Sequence, residues 1–265
     1  MSKSFIWGFL VGVALLIVAG VGASKLQDKN VALNARLKEA DERQYQIEIT
    51  DATPLQSGLL SERQRIHSRV FAYYKQMREG LPDYQRISDF FAKPKGKVMG
   101  TVITVGLSPA PDPQTPEEFL RELGDKSDAV IKGAVVKKVS QITEDDSFIF
   151  TDYDVVVTEV FKDNPTSPIE VGRPILVTRP GGKIAASGFV VKADDEKFLP
   201  LPMNGEVLLF LKFIPESGAY KSTEARGGFE LNGSLIRPLT GIHLPFEVTQ
   251  DGSTFVQATR TALSK

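Results

Sequence analysis

From Phe5 to Ala23 the chain runs nineteen residues without a charge (FIWGFLVGVALLIVAGVGA), and beyond it polar positions punctuate the sequence almost everywhere. As a helix that run would be about 28 Å long, close to the ~30 Å hydrocarbon core of a bilayer. It exceeds the usual apolar core of a signal peptide, and the stretch Lys25–Arg43 continues without Pro or Gly. The pattern predicts an uncleaved transmembrane anchor at 5–23 behind a short tail at 1–4; a signal cut after Ala23 is the competing reading. The short tail and large following domain predict a single-pass cell-membrane protein with an extracytoplasmic C-terminal domain, in contact with membrane lipid through 5–23. Gly8 and Gly12 form a G-x-x-x-G pair, a pattern that also arises because Gly is common in membrane helices.

Residues 24–50 read as a helical spacer. Leu26, Asn30, Leu33, Leu37 and Ala40 recur at alternating intervals of four and three. That is a short heptad seam with one polar core position, and equally the pattern of a solvated helix. A helical segment with a strand fills 51–107. Ser61 and Gln64 match a capping box, Ile66, Val70, Tyr73, Tyr74 and Met77 share a helical face, and Gly80 supplies the stop. Val98–Gly106 reads as a strand. The Pro-rich stretch at 108–116 predicts a linker and a domain boundary, with Thr115 as N-cap and Pro116 as first residue of a short helix ending at Gly124.

From 117 to 240 the pattern is mainly β. Ala129–Val139 places Ile131, Val135 and Val139 on one face. In Phe148–Phe161, Tyr153, Val155, Val157 and Phe161 share a face while Phe148 and Phe150 lie on the other, which predicts a bulge near Thr151–Asp152. Pro180-Gly181-Gly182 reads as a hairpin turn and Asn232-Gly233 as another. Val207–Ile214 is apolar on both faces but for Lys212, the mark of a buried central strand. These strands predict an OB-like antiparallel barrel or sandwich, preceded by the transmembrane helix and stalk, with 241–265 as a C-terminal tail. A fragment from Thr115 to Thr240 is expected to fold alone.

Composition narrows the classes. Lys plus Arg number 32 against 33 Asp plus Glu, for a net charge of −1, so no basic excess points to nucleic acid. With no Cys, disulfide frameworks, thiolate metal sites and Cys nucleophiles are excluded.

Five stretches carry a resemblance: Ser127–Val135 (SDAVIKGAV), Tyr153–Lys162 (YDVVVTEVFK), Arg179-Pro180-Gly181-Gly182, Leu208–Lys212 (LLFLK) and Phe229–Gly233 (FELNG). Their order resembles a group of uncharacterised exported bacterial proteins of the kind found in acidobacteria. The first two stretches also look like the opening of netrin-like, OB-type barrels, which include metalloprotease-inhibitor modules. Across 116–240 the resemblance implies an exported barrel. It does not imply inhibition, because those inhibitors hold the enzyme's metal with an N-terminal Cys that this chain lacks.

Candidate chemistry is sparse. His67 lies on the flank of the capped helix, and His243 in a loop, without metal-ligand spacing. Glu144-Asp145-Asp146 and Asp194-Asp195-Glu196 read as loop tips rather than cation loops. Asp152 and Asp154 share a strand face, the arrangement paired-carboxylate chemistry uses, and also that of the solvent side of a half-buried strand. On that second reading, changing both to Asn would alter stability by only about ±0.5 kcal/mol per site. Arg179-Pro180-Gly181-Gly182-Lys183 has the amides and cations to take a small anion, or forms an ordinary turn. No catalytic, cofactor or metal residue is assigned. The expectation is a non-enzymatic envelope module with a protein partner; the rival is an anchored hydrolase built on Asp152 and Asp154.

Overall fold

The computed structural model describes residues 36–56, 58–92, 98–103, 112, 114–186, 188–233, 235–248 and 251–264. Two compact units divide the chain, Met1–Thr50 and Asp51–Lys265. In the first, residues 36–50 are helical (α1). In the second, Thr53–Pro54 (β1) precedes three helices, Glu62–Val70 (α2), Tyr73–Glu79 (α3) and Ile87–Ala92 (α4). Val98–Ile103 (β2) and Pro116–Lys126 (α5) follow. Then come Ala129–Ile142 (β3), Ile149–Lys162 (β4), Pro174–Pro180 (β5), Gly182–Ala186 (β6), Phe189–Asp195 (β7), Glu206–Ile214 (β8), Ala219–Ser222 (β9), Gly228–Asn232 (β10), Leu235–Pro238 (β11) and Gly252–Leu263 (α6).

Local signals set several boundaries. The Ser61 hydroxyl accepts from the Gln64 amide and the Gln64 side chain accepts from the Ser61 amide, a complete capping box at α2. Thr115 and Glu118 make the same reciprocal pair at α5, with Pro116 first in the helix. Asp251 caps α6 by accepting from the Ser253 and Thr254 amides.

Five strands close into a barrel. Around the circuit β3 pairs with β4, β4 with β5, β5 with β9, β9 with β8, and β8 with β3. Every pairing in it is antiparallel except β5 with β9, which is parallel. β8 divides its second edge, giving Glu206–Leu209 to β10 and Leu211–Ile214 to β9. Ile131, Val135, Tyr153, Val155, Val157, Val177, Val207, Leu209, Leu211 and Tyr220 form the core of this circuit, with Leu201 and Leu239. α5 and α6 cover the outer face, where Phe119, Leu120, Leu123 and Phe255 pack on Leu208, Phe210, Phe229 and Leu231. A second sheet runs β1-β6-β7-β2, with both outer strands parallel to their neighbours. It shares a third core with α2, α3 and α4.

Several expectations are corrected. The antiparallel barrel or sandwich is a mixed structure, because β5 and β9 run the same way and β1 and β2 add in parallel. The transmembrane helix has no counterpart: among the described residues no helix is long and apolar enough to cross a membrane. α6, with 12 residues, reaches only about 18 Å, and α1 is dense in charge (Arg36, Lys38, Glu39, Asp41, Glu42, Arg43). The run Phe5–Ala23, with its Gly8/Gly12 pair, lies outside the described residues. The single-pass placement and extracytoplasmic orientation rested on that run and gain no support from the fold.

The boundary at 108–116 falls inside the second unit, since β2 pairs with β7 from Val98↔Val190 to Ile103↔Asp195. The C-terminal stretch 241–265 supplies α6, and Phe255 belongs to the outer core. Pro180-Gly181-Gly182 does not turn a hairpin: β5 and β6 lie in different sheets, and the chain passes between them at this corner. Gly182 has φ 151°, and a Cβ there would fall 2.3 Å from Thr151 Oγ1 and 2.6 Å from Ser140 Oγ. The face change at Thr151–Asp152 needs no bulge, because the β3–β4 register runs unbroken from Lys137↔Asp154 to Ile142↔Ile149. Both faces of β4 are covered: Tyr153, Val155 and Val157 belong to the barrel core, while Phe148 and Phe150 belong to the core shared with the helices.

Candidate functional site

The helices beside β4 bury an unexpected stripe. His67, Phe71, Tyr74 and Arg78 face inward, at helical spacing, while Tyr73 and Met77 keep 45% and 37% of their surface exposed. The polar members of the stripe are accepted because each meets a partner. Tyr74 Oη donates to Asp195 Oδ2, and Arg78 donates to the carbonyls of Ser147 and Gln85. Burial drives the Tyr74 phenol far above its ordinary pKa, and the adjoining Tyr73 and Asp195 add to the rise.

His67 is fully buried, and Nδ1 lies 2.8 and 3.0 Å from the two carboxylate oxygens of Asp152. Nε2 lies 3.0 Å from Ser217 Oγ in the β8–β9 turn. The arrangement fits the Nδ1–H tautomer, with Nδ1 donating to Asp152 and Nε2 accepting from the hydroxyl. Ser–His–Asp contacts of this kind activate a nucleophile in acyl transfer, provided that amides are also aimed at the developing oxyanion. Here the amides of Ser217 and Gly218 both donate to the Ile214 carbonyl, at 3.1 and 3.0 Å, and the Ala219 amide donates to Ser217 Oγ. The turn therefore offers no oxyanion hole of its own. The constellation ties α2 to β4 and to the β8–β9 turn.

This placement corrects the reading of Asp152 as solvent-facing. Asp152 shares a strand face with Phe148 and Phe150, and α2 covers that face. Asp154, two residues on, is half-buried, so the two carboxylates are not an equivalent pair.

A cavity of about 320 Å³ opens at the corner where β5 passes to β6. It is lined by Gly181 and Gly182, the aromatic rings of Tyr153 and Phe198, and the side chains of Lys138, Lys183, Lys192 and Asp51 among others. Asp51 pairs with both Lys138 and Lys183, and Lys192 with Asp194 at 2.7 Å. Burial works to raise the Asp51 pKa, but the hydrogen bonds from the two lysines outweigh it and hold the carboxyl below its ordinary 3.8.

Arg179 lies against Phe198, one of the lining residues. Its guanidinium carbon stands 5.5 Å from the centre of the Phe198 ring, and the residue is 1% exposed. Nη2 donates to the Leu239 carbonyl at 3.0 Å, whereas Nε and Nη1 have no hydrogen-bond partner. No carboxylate among the described residues forms an ion pair with it. Burial pushes its pKa down to about 10, against the opposing influence of Tyr153 and Asp195.

The remaining candidates are dispersed. His243 is exposed in a loop. In the first acidic cluster, Asp145 accepts from Thr143 and Ser147, and Asp146 accepts from the Ser88 amide at 3.0 Å, so the cluster shapes a turn and docks α4. In the second, Asp194 and Asp195 lie on β7 rather than at a loop tip, and Asp195 is buried. Among the described residues no group of three or more His, Asp or Glu is placed to hold a metal ion. Sequence reasoning missed Ser217, which no motif marks. It also missed the burial of Arg179, although the alternation Ile175, Val177, Arg179 puts that side chain on the apolar face of β5. No protein-family model matches this chain, and no curated protein matches it.

Proposed function

We propose that the chain is a binding module whose ligand is a small molecule bearing an acidic group, held in the cavity at the β5–β6 corner. What supports this reading is Arg179. A fully buried guanidinium with two unpartnered nitrogens is costly, and such a group calls for a counter-ion. Phe198, which lines the cavity and lies against Arg179, is the side chain that would move to admit one. The volume is near the lower end of the roughly 300–1,000 Å³ of small-molecule sites. Tyr153, Leu199 and Pro200 offer an apolar wall for the body of the ligand. Binding is preferred to carboxylate chemistry because both oxygens of Asp152 are committed to His67.

Thermal unfolding of the wild type and of Arg179→Met, with and without acetate, benzoate or inorganic phosphate, tests the reading. Without a probe, Arg179→Met should be the more stable by about 1–4 kcal/mol, because an apolar chain replaces an unpaired buried charge. The Leu239 carbonyl keeps the Leu199 amide as a donor at 3.1 Å. With a probe, the wild type should unfold at a higher temperature and the variant should not respond. The proposal fails if no probe shifts the wild type, or if both proteins respond alike.

A further inference from the structure

Phe198 and Pro180 line a second cavity besides the one at the β5–β6 corner. It has a volume of about 170 Å³. Phe71 and Tyr73, at the junction of α2 and α3, form one wall, and Thr178, Lys221 and Ser222, near the ends of β5 and β9, form another. None of its described lining residues is acidic. Two of them hold polar groups without partners. Thr178 is 1% exposed and Ser222 is 8% exposed, and neither hydroxyl oxygen has a hydrogen-bond partner. A buried polar group left unpaired is costly, so two around one cavity mark a place for something that pairs with both.

The chemistry of the lining identifies what that is. Each hydroxyl can donate, and Lys221 adds an exposed ammonium. Donors and positive charge, with no acid beside them, suit the oxygens of an acidic group. The register sets this group close to Arg179. Val177 pairs with Tyr220 inside the barrel, and Thr178 pairs with Lys221. One step further along the two parallel strands come Arg179 and Ser222, on the inward face. Ser222 also pairs with Leu211 of the barrel core. We infer that the ligand is a short-chain diacid. One acidic group pairs with Arg179, and the other is taken by Thr178, Ser222 and Lys221, with Phe198 displaced to let the molecule reach both. This rests on the reading of Arg179 as an anion site and narrows the ligand from an acid to a diacid. The chain is short because Thr178 and Arg179 are consecutive residues.

Calorimetric titration of the full chain with succinate, glutarate and adipate, each set against the monoacid of equal length (butyrate, valerate and hexanoate), tests the inference. At least one diacid should bind about tenfold more tightly than its monoacid, the gain expected from a second charge-assisted contact. Thr178→Val combined with Ser222→Ala should bring the ratio of the two affinities to about one. Neither hydroxyl has a partner to lose, so the double variant should unfold no earlier than the wild type. If it does unfold earlier, Lys221→Met, at an exposed position, carries the same comparison and should lower the ratio. Diacids that bind no better than monoacids, or an advantage that survives these changes, would overturn the inference and leave the cavity to water, with the Arg179 reading intact. Monoacids that fail to bind the wild type, or that bind Arg179→Met equally well, would instead remove the Arg179 reading, and the inference with it.

Discussion

Replacing His67 with Phe removes three short contacts, two of them to a buried carboxylate. His67 has no exposed surface and Asp152 is 7% exposed, so the carboxylate left behind keeps its burial and loses its donor. Breaking one side of such a buried pair costs about 3–5 kcal/mol. That is a large share of the ~5–15 kcal/mol that holds a typical domain folded. At roughly 2–4 °C per kcal/mol for a domain of this size, the midpoint should fall by about 6–20 °C. Asp152→Asn keeps the shape and an oxygen able to accept Nδ1–H, so it should cost less, about 1–2 kcal/mol. Ser217→Ala removes one half-buried hydroxyl and should cost about 1 kcal/mol or less. Replacing both partners, as in His67→Phe with Asp152→Leu, should cost less than the sum of the single changes. Thermal unfolding followed by the near-ultraviolet circular dichroism of the buried tyrosines gives the order, and hydrolysis of p-nitrophenyl acetate gives the control. A His67→Phe midpoint within about 0.5 kcal/mol of wild type would refute the tie. Ester hydrolysis that Ser217→Ala abolishes would refute it from the other side and make the constellation catalytic.

The lowered pKa of Asp51 means that its share of stability is complete above its ordinary 3.8 and drains away as pH falls below that value. Asp51→Asn should therefore be less stable than wild type at pH 7 and should approach it in acid; equal stability at both pH values would contradict the double lysine pairing. The fragment from Thr115 to Thr240 should not fold to the native barrel, because it lacks α6 and exposes Phe229 and Leu231. A cooperative thermal transition from that fragment would show that the outer core is dispensable. Leu209→Ala, inside the barrel with no exposed surface, should cost about 2–5 kcal/mol in chemical denaturation.

Elements governed by their own few residues were legible in the sequence. The capping boxes at Ser61 and Thr115 and the turn at Asn232-Gly233 are local hydrogen-bonding or φ requirements, and the chain meets them locally. The doubly apolar run of β8 likewise declared its burial: Leu209 and Leu211 face the barrel core, while Leu208 and Phe210 face the helices. What failed depended on what lay across the gap. Ile66, Val70, Tyr73, Tyr74 and Met77 make the better apolar face, yet the residues turned inward include His67 and Arg78, whose partners are far away in sequence. Asp152 read as solvent-facing because nothing near it announces a helix on that side. The Gly181-Gly182 corner imitates a hairpin, since a turn and a passage between sheets demand the same backbone freedom. Of the candidate site, Arg179, the two glycines and Lys183 were visible in the sequence as an anion-binding turn, but the cavity, the absence of partners on two guanidinium nitrogens and the contact of Ser217 with His67 come from the fold.

The β6–β7 hairpin sets an order of events as the chain is made. It lies between the third and fourth strands of the barrel circuit, and it is the template on which β1 and β2 add, Thr53 beside Ile184 and Val98 beside Val190. The ribosome releases the amino-terminal strands first, and neither has an edge to join until the hairpin has followed. Closing so long a loop for a two-residue strand returns little by itself, which makes β1 a late arrival. Its two residues are followed by the Leu55 amide bond to the Ala185 carbonyl at 2.8 Å, the last stitch of that edge. During synthesis, the helices that pack against this sheet must keep Phe71 and Tyr74 from other company. Placing the template so far downstream of the strands that need it leaves that apolar surface exposed while the chain is made, the state in which folding intermediates associate.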